Sequence, residues 1–481
     1  MCLSLLNGFT IFFTILTISI SVMILMENRS PSRTVAWLLV LILLPVIGIF
    51  LYLYIGQNHK KKRTFIKKSQ QDYRILSQLL KEQASFTKNS DFFLENITGI
   101  KSKVIPLLMK NTNSPITVNN ESKILQNGKI TYEAMLESIS LAEDHIHMEY
   151  FIIKDSGIGR RIRDALIEAA NRGVKVRVLY DAVGSWRLNN EFLTPLKEAG
   201  VRIEAFLPVS IPLFGHRLNY RNHRKNLIVD GTTGFLGGIN IGDEYLGMDK
   251  KLGFWRDTHL QIKGEVVYVM QAIFLMDWFF VTGEVIDDPI YFPRQGYCGT
   301  QMIQVASSGP DSQWEAIHQA YFTAIAAAKN KVYITTPYLI PDESILIALK
   351  TAALRGVDVR IIVPSHPDHR TVFWASRSHF RELLQAGVKI YEYKKGFIHG
   401  KVMLVDDDFV SIGTANVDIR SFHLNFEINA FIYDKETSEK MMFYFIDDFR
   451  HSREITLEEY HHRPYMERIK ESVARLFSPI L

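Results

Sequence analysis

The chain has 481 residues, more than one ordinary compact domain needs, so two or three domains are expected. Apolar residues make up 47%, aromatic residues 12% and charged residues 22%, which excludes a disordered chain, and a net charge of +5 does not by itself mark a nucleic-acid binder. Two cysteines, Cys2 and Cys298, exclude a disulfide framework and a multi-cysteine metal site, so the fold does not depend on an oxidising compartment.

Residues 1–26 carry no charged side chain, and Leu3 to Met26 is long enough to cross a bilayer as a helix. Its serines and threonines are tolerable because their hydroxyls can bond back to helix carbonyls. A cleaved signal peptide would want a basic start and a small-residue cleavage site, and neither is present. A second apolar run, Val35 to Ile55, follows after a short loop, with Trp37, Tyr52 and Tyr54 near its ends and Pro45 as a kink. The pair reads as a transmembrane hairpin over 1–58. Lys60, Lys61, Lys62, Arg63, Lys67 and Lys68 come next, and the positive-inside rule puts them and the rest of the chain in the cytoplasm. Residues 59–115 read as a basic and polar, partly helical linker.

From about residue 125, helical and apolar strand patterns alternate, which argues for α/β domains with mixed, largely parallel sheets. The order then recurs. "IEAANRGVKVRVLYD" matches "LKTAALRGVDVRIIVP", and "LKEAGVRIEAF" matches "LLQAGVKIYEY". Arg172 pairs with Arg355 at an offset of 183, and His223 with His399 at 176. A near-constant offset of this size marks a domain duplication rather than a solenoid. The expected boundaries are 116–295 and 296–481.

Within the repeat, "YRNHRKNLIVDGT" and "GFIHGKVMLVDDDF" place His223, Lys225 and Asp230 at the spacing of His399, Lys401 and Asp406. Six residues after each aspartate comes a Gly-containing turn, closed by Asn240 or Asn416. "FWRDTHLQIKG" aligns with "NFEINAFIYD", setting Asp257 opposite Glu427. Side chains alternate across a strand, so each His and Lys share a face while the Asp has the opposite parity. The six motif residues form the candidate catalytic set, the two aspartates within it as supports rather than reacting groups. Lysines supply fixed charge for phosphate oxygens, and the asparagines would add neutral donors for a pentacoordinate phosphorus. One imidazole can attack phosphorus, and the other can move the leaving and entering protons. Each wants a carboxylate on its second nitrogen, for which Asp257 and Glu427 are candidates, their assignment left open.

A single His at a strand end is usually structural, and His145, His147, His216 and His259 read that way. His461 and His462 read as surface. A metal reading of the paired motifs suffers from the adjacent lysines, which are poor neighbours for a cation, and metal-ligand spacing is absent.

The repeated H-x-K-x4-D-x6-G pattern, followed by Asn, resembles the phospholipase D superfamily. "SRTVAWLLVLILLPVIGIFLYLYIG", "GFWRDTH", "SSGPD", "TTPYLIPD" and the C-terminal tail make the chain similar, nearly end to end, to the bacterial cardiolipin synthase family. The resemblance implies two sandwich domains of phospholipase D type. It also implies transfer between two phosphatidylglycerol molecules through a phosphatidyl-histidine, giving cardiolipin and glycerol. By the same analogy His223 is the nucleophile and His399 the acid/base. No metal, nucleotide or other cofactor is implied, and no nucleic-acid partner; substrate and product lie in the bilayer, and oligomerisation is left open. The competing readings are a lipid hydrolase or headgroup exchanger of the same superfamily, a nuclease, and a non-enzymatic membrane scaffold.

Overall fold

The structure, a computed structural model, describes residues 2–26, 31–52, 97–112, 114–208 and 219–480. The chain divides into two compact units, residues 1–70 with 209–218, and residues 71–208 with 219–481.

In the first unit, helices span Cys2–Met26, Pro31–Leu43 and Pro45–Leu51. Thr17 and Ser19 donate to the carbonyls of Phe13 and Ile15 at 2.8 and 2.9 Å, so their hydroxyls are satisfied within the helix. Pro45 interrupts the second apolar run, as a ring without an N–H must: the helix stops at Leu43 and restarts at Pro45. Ile20, Ile24, Leu41, Ile49 and Tyr52 pack together, while Ile11, Phe12, Ile15 and Ile18 are exposed. Side chains of the first helix are described from Ile11 onward, and among the described residues no helix is long and apolar enough to cross a membrane. The basic cluster at 60–68 and His216 lie outside the described residues.

The second unit holds two sheets. The first is built from β1 (Asn120–Gln126), β2 (His145–Tyr150), β3 (Lys175–Asp181), β4 (Arg202–Phe206), β5 (Lys225–Val229), β6 (Thr233–Gly237) and β8 (Thr258–Gly264), with the short β7 (Phe254–Arg256) outside it. The second uses β9 (Ile303–Ser308), β10 (Lys331–Thr335), β12 (Asp358–Pro364), β13 (Lys389–Tyr393), β15 (Val402–Val405), β16 (Phe409–Gly413), β18 (Glu427–Ile432) and β19 (Ser452–Ile455). The short β11 (Leu339–Ile340), β14 (Gly396–Ile398) and β17 (Val417–Asp418) lie outside it.

The strand orders are β1-β8-β6-β5-β2-β3-β4 and β9-β18-β16-β15-β10-β12-β13-β19. They are the same order, the second with one added edge strand, so the duplication read from the sequence is a duplication of topology. The sheets are mixed, but they are not largely parallel. Only β2–β3 and β3–β4 in the first sheet, and β10–β12 and β12–β13 in the second, pair in parallel. Those strands are joined by crossover helices. The motif strands are joined to their successors by tight hairpins, which force antiparallel pairing.

The two sheets face each other across a shared core that includes Ile228, Leu236 and Leu260 from one and Leu404, Val410 and Ile428 from the other. The helix Val266–Thr282 is buried along most of its length in the same layer, as a helix apolar on every side requires. Helices cover the outer face of each sheet. Helix Lys101–Thr112 falls in the stretch expected as linker, yet its Val104, Ile105 and Leu108 are buried in the core of the second sheet.

Candidate active site

Each motif sits where a strand starts. Lys225 opens β5 and Lys401 immediately precedes β15, so each His lies just outside the sheet. The segments before the histidines are fixed by pairing with the opposite repeat. β14 pairs in parallel with β7, and His399 N donates to Arg256 O at 2.7 Å. Asn222 bridges Phe426 in the same sense, and His223 N donates to Phe426 O at 2.9 Å.

This cross-pairing decides which carboxylate serves which imidazole. Glu427, from the second repeat, places both oxygens at 3.0 and 2.9 Å from Nδ1 of His223, in the first. Asp257, from the first repeat, sits 2.7 Å from Nδ1 of His399, in the second. With Nδ1–H donated to a carboxylate, the lone pair of each neutral ring is left on Nε2. Each motif histidine therefore takes its carboxylate from the other repeat, and the two repeats make one site.

Lys225 is fully buried and Lys401 nearly so. Their Nζ atoms donate to the carbonyls of His223 and His399 at 2.6 and 2.5 Å, and Lys401 Nζ lies 2.9 Å from His399 Nε2. Burial pushes the Lys225 ammonium well below its ordinary range and brings Lys401 down to about 8. Burial also lowers both histidines to about 4; Glu427 and Asp257 oppose the shift and the lysines reinforce it. Lys401 acts on His223 and Lys225 on His399, so the charges of the two motifs meet. Burial raises the proton affinity of Asp257 and Glu427, but their imidazole and ammonium neighbours outweigh it and hold both below the usual carboxylate range.

Asp230 and Asp406 do not reach either imidazole. Both adopt positive φ, 50° and 51°, which Asp tolerates better than most residues. Asp230 accepts from the backbone N–H groups of Glu143, Asp144 and His145, and Asp406 from those of Lys329, Asn330 and Lys331. Each ties the motif hairpin to the start of the adjacent strand, β2 or β10. The asparagines are each tied to a loop. Asn240 donates to the Tyr245 hydroxyl and accepts from Ile152 N, and Asn416 donates to Asp418. One N–H of each amide is used in this way, and an amide carries two. His145, His147 and His259 are buried in the first repeat, and His462 is exposed.

The sequence reading missed a buried polar set behind His223. Asp181 accepts from Asn222 N and pairs with Arg221 at 3.2 Å, and Asn222 Nδ2 donates to Glu149 at 2.5 Å. Acidic residues at or near the C-terminal ends of apolar parallel strands, in "HMEYF" and "VLYDAVG", were the available signal. Behind His399 the surroundings are aromatic: the Trp255 ring centroid is 5.0 Å away, and Trp255 Nε1 donates to Asp257 at 3.3 Å.

Two repeats, crossed into a single His–Lys centre between facing mixed sheets, define a two-motif enzyme of phospholipase D type. The family model described as cardiolipin synthase, PLD-like domain, matches residues 135–278 and 321–449, and an N-terminal phospholipase D-nuclease model matches 15–57. A cardiolipin synthase of Alkalihalophilus pseudofirmus is 46% identical, covering 98% of this chain and 93% of its own. Cardiolipin synthase 2 of Bacillus anthracis is 48% identical, covering 98% and 91%. The major cardiolipin synthase of Bacillus subtilis (strain 168) is 44% identical, covering 98% of each. The chain belongs to the cardiolipin synthase family. The crystal structure of a phosphatidylserine synthase from Haemophilus influenzae aligns with a TM-score of 0.62 at 15% identity, covering 79% of this chain and all of that one, and shares the fold.

Proposed function

We propose that the protein is a cardiolipin synthase that transfers a phosphatidyl group from one phosphatidylglycerol to the glycerol hydroxyl of another. The crossed pairs carry this reading, because each carboxylate engages Nδ1 and leaves the lone pair of each neutral imidazole on Nε2, with Lys401 beside that of His399. In the first step His223 Nε2 bonds to phosphorus as the bond to the leaving glycerol oxygen breaks, and His399 gives that oxygen its proton. In the second, the hydroxyl of the next phosphatidylglycerol loses its proton to His399 and attacks phosphorus, and the P–N bond breaks. One phosphodiester replaces another, so the exchange needs no energy source. Glu427 and Asp257 stabilise the cationic form that each imidazole passes through.

Low proton affinity suits His223 as nucleophile. The acid role of His399 requires the substrate: a phosphodiester anion favours the imidazolium, as it favours charged Lys225 and Lys401. The lysines then face the charge that builds on the phosphoryl oxygens. A membrane hairpin at the N-terminus, with the catalytic unit in the cytoplasm, would keep the enzyme where both lipids lie. The match to the N-terminal family model and the exposed apolar side chains from Ile11 to Ile18 support it.

Purified protein incubated with phosphatidylglycerol vesicles should yield cardiolipin and free glycerol in equal amounts. Phosphatidic acid as the main product, without cardiolipin, would move the protein to the hydrolases.

A further inference from the structure

Three segments of the second repeat bring together a different set of groups. His318 lies in helix Ala316–Ala327, Asp342 caps helix Glu343–Leu354, and His423 ends helix Ile419–His423. His318 Nε2 is 3.0 Å from Asp342 Oδ2, and His423 Nε2 is 3.6 Å from the same oxygen. One ligand atom from each of the three lies within 4.8 Å of the other two. Asp342 divides its oxygens: Oδ1 accepts from Ile345 N at 3.1 Å as the helix cap, and Oδ2 faces the imidazoles. At the other nitrogen of His423, Nδ1, Glu315 Oε1 is 3.7 Å away. The Ser344 hydroxyl is 2.9 Å from His318 Nε2 and bonds to Asp342.

Two imidazole nitrogens and one carboxylate oxygen are a donor set for first-row divalent ions, which leave a further position to water. Bonds of about 2.0–2.1 Å in tetrahedral geometry put ligand atoms roughly 3.3 Å apart, close to the two separations to Asp342. A carboxylate on the far nitrogen of a ligating histidine is the usual way its tautomer is fixed. We propose that His318, Asp342 and His423 bind a first-row divalent ion of the zinc class, with Glu315 orienting His423.

Charge supports the assignment. Two carboxylates beside two neutral imidazoles leave two negative charges, which one divalent ion balances. Proton and ion compete for the same lone pair, so binding should release a proton and weaken as pH falls. The site would act by position. His423 follows Asp418, which caps its helix and accepts from Asn416, and precedes Glu427, the partner of His223. An ion would pin this stretch to the two helices behind it.

The test is calorimetric titration of full-length, tag-free, chelator-stripped protein in detergent with Zn2+, in two buffers of different ionisation enthalpy. One ion per chain is expected, with about one proton released and about tenfold weaker binding per pH unit lost for each proton displaced. The double variant His318→Gln/His423→Gln should lose the stoichiometric ion, and Glu315→Gln should bind roughly 10–100-fold more weakly. No stoichiometric uptake, or uptake unchanged in the double variant, overturns the proposal. Should the double variant fail to fold, unchanged affinity and proton release in Glu315→Gln overturn the arrangement.

Discussion

The two repeats share one topology and offer the same His and Lys, but they surround them differently. His223 meets both oxygens of Glu427 and is backed by Asn222, Arg221 and Asp181. His399 meets one oxygen of Asp257 and is backed by Trp255 and Phe397. The difference continues in the glycine turn. A Cβ on Gly238 would lie 2.1 Å from Asp257 Oδ1, so only glycine admits that carboxylate. Thr414 stands at the matching place in the second repeat, hydrogen-bonds Ile428, and helps hold Glu427 ionised. Duplication supplied two equal imidazoles. Divergence of what lies behind them gave each its own setting, and this asymmetry supports the division into nucleophile and proton carrier.

The largest effects should come from the imidazoles. His223→Ala should abolish both cardiolipin formation and the covalent adduct. His399→Ala should cost roughly 10²–10⁴-fold in turnover, the usual worth of a positioned acid/base. Equal residual adduct in the two variants would erase the asymmetry.

The crossing can be broken next. Glu427→Gln and Asp257→Asn should each lower kcat by roughly 10²–10⁴-fold while leaving KM nearly unchanged, because neither carboxylate touches the lipid in this reading. Rapid-quench kinetics should separate them: Glu427→Gln slows adduct formation, as a defect in His223 must, while Asp257→Asn matches His399→Ala and adds little to it in the double variant. The opposite pairing of phenotypes would mean that each repeat serves its own histidine. Gly238→Ala should resemble Asp257→Asn in kcat and also lower Tm, by a strain of about 1–3 kcal/mol.

Smaller, and of a different kind, are the effects at Asp230 and Asp406. Replacement by Ala leaves backbone N–H groups without their acceptor, at about 1–3 kcal/mol for each one left buried and unsatisfied. Thermal unfolding should show the loss, with kcat of the folded protein reduced only a few-fold. The last effect concerns pH. Both histidines bind a proton more weakly folded than unfolded, at about 4 against about 6.5. The unfolded state therefore takes up more protons between those values, and stability is lost as pH falls from about 6.5 to about 4. The His223→Gln/His399→Gln variant should lose Tm less steeply across that window.

Much of this was legible in the sequence. The paired motifs, the duplication, the place of Asp257 opposite Glu427, and the aspartates' turn away from their own histidines follow from spacing and strand parity. The crossing did not, because it rests on backbone pairing between residues 223 and 426 and between 399 and 256, far apart in the chain. Parallel pairing was overread because crossover helices dominate the pattern, while the hairpins at Asp230 and Asp406 are only a few residues long. The loop partners of the asparagines, Tyr245 and Asp418, were not legible because they are fixed only by the folded loops.

The division of labour is tested most directly by rapid quench of the wild-type protein with phosphatidylglycerol, followed by mass spectrometry of the acid-labile adduct. The account predicts a phosphatidyl group on the peptide carrying His223, formed and consumed within one turnover. The same group on the peptide carrying His399 would contradict it.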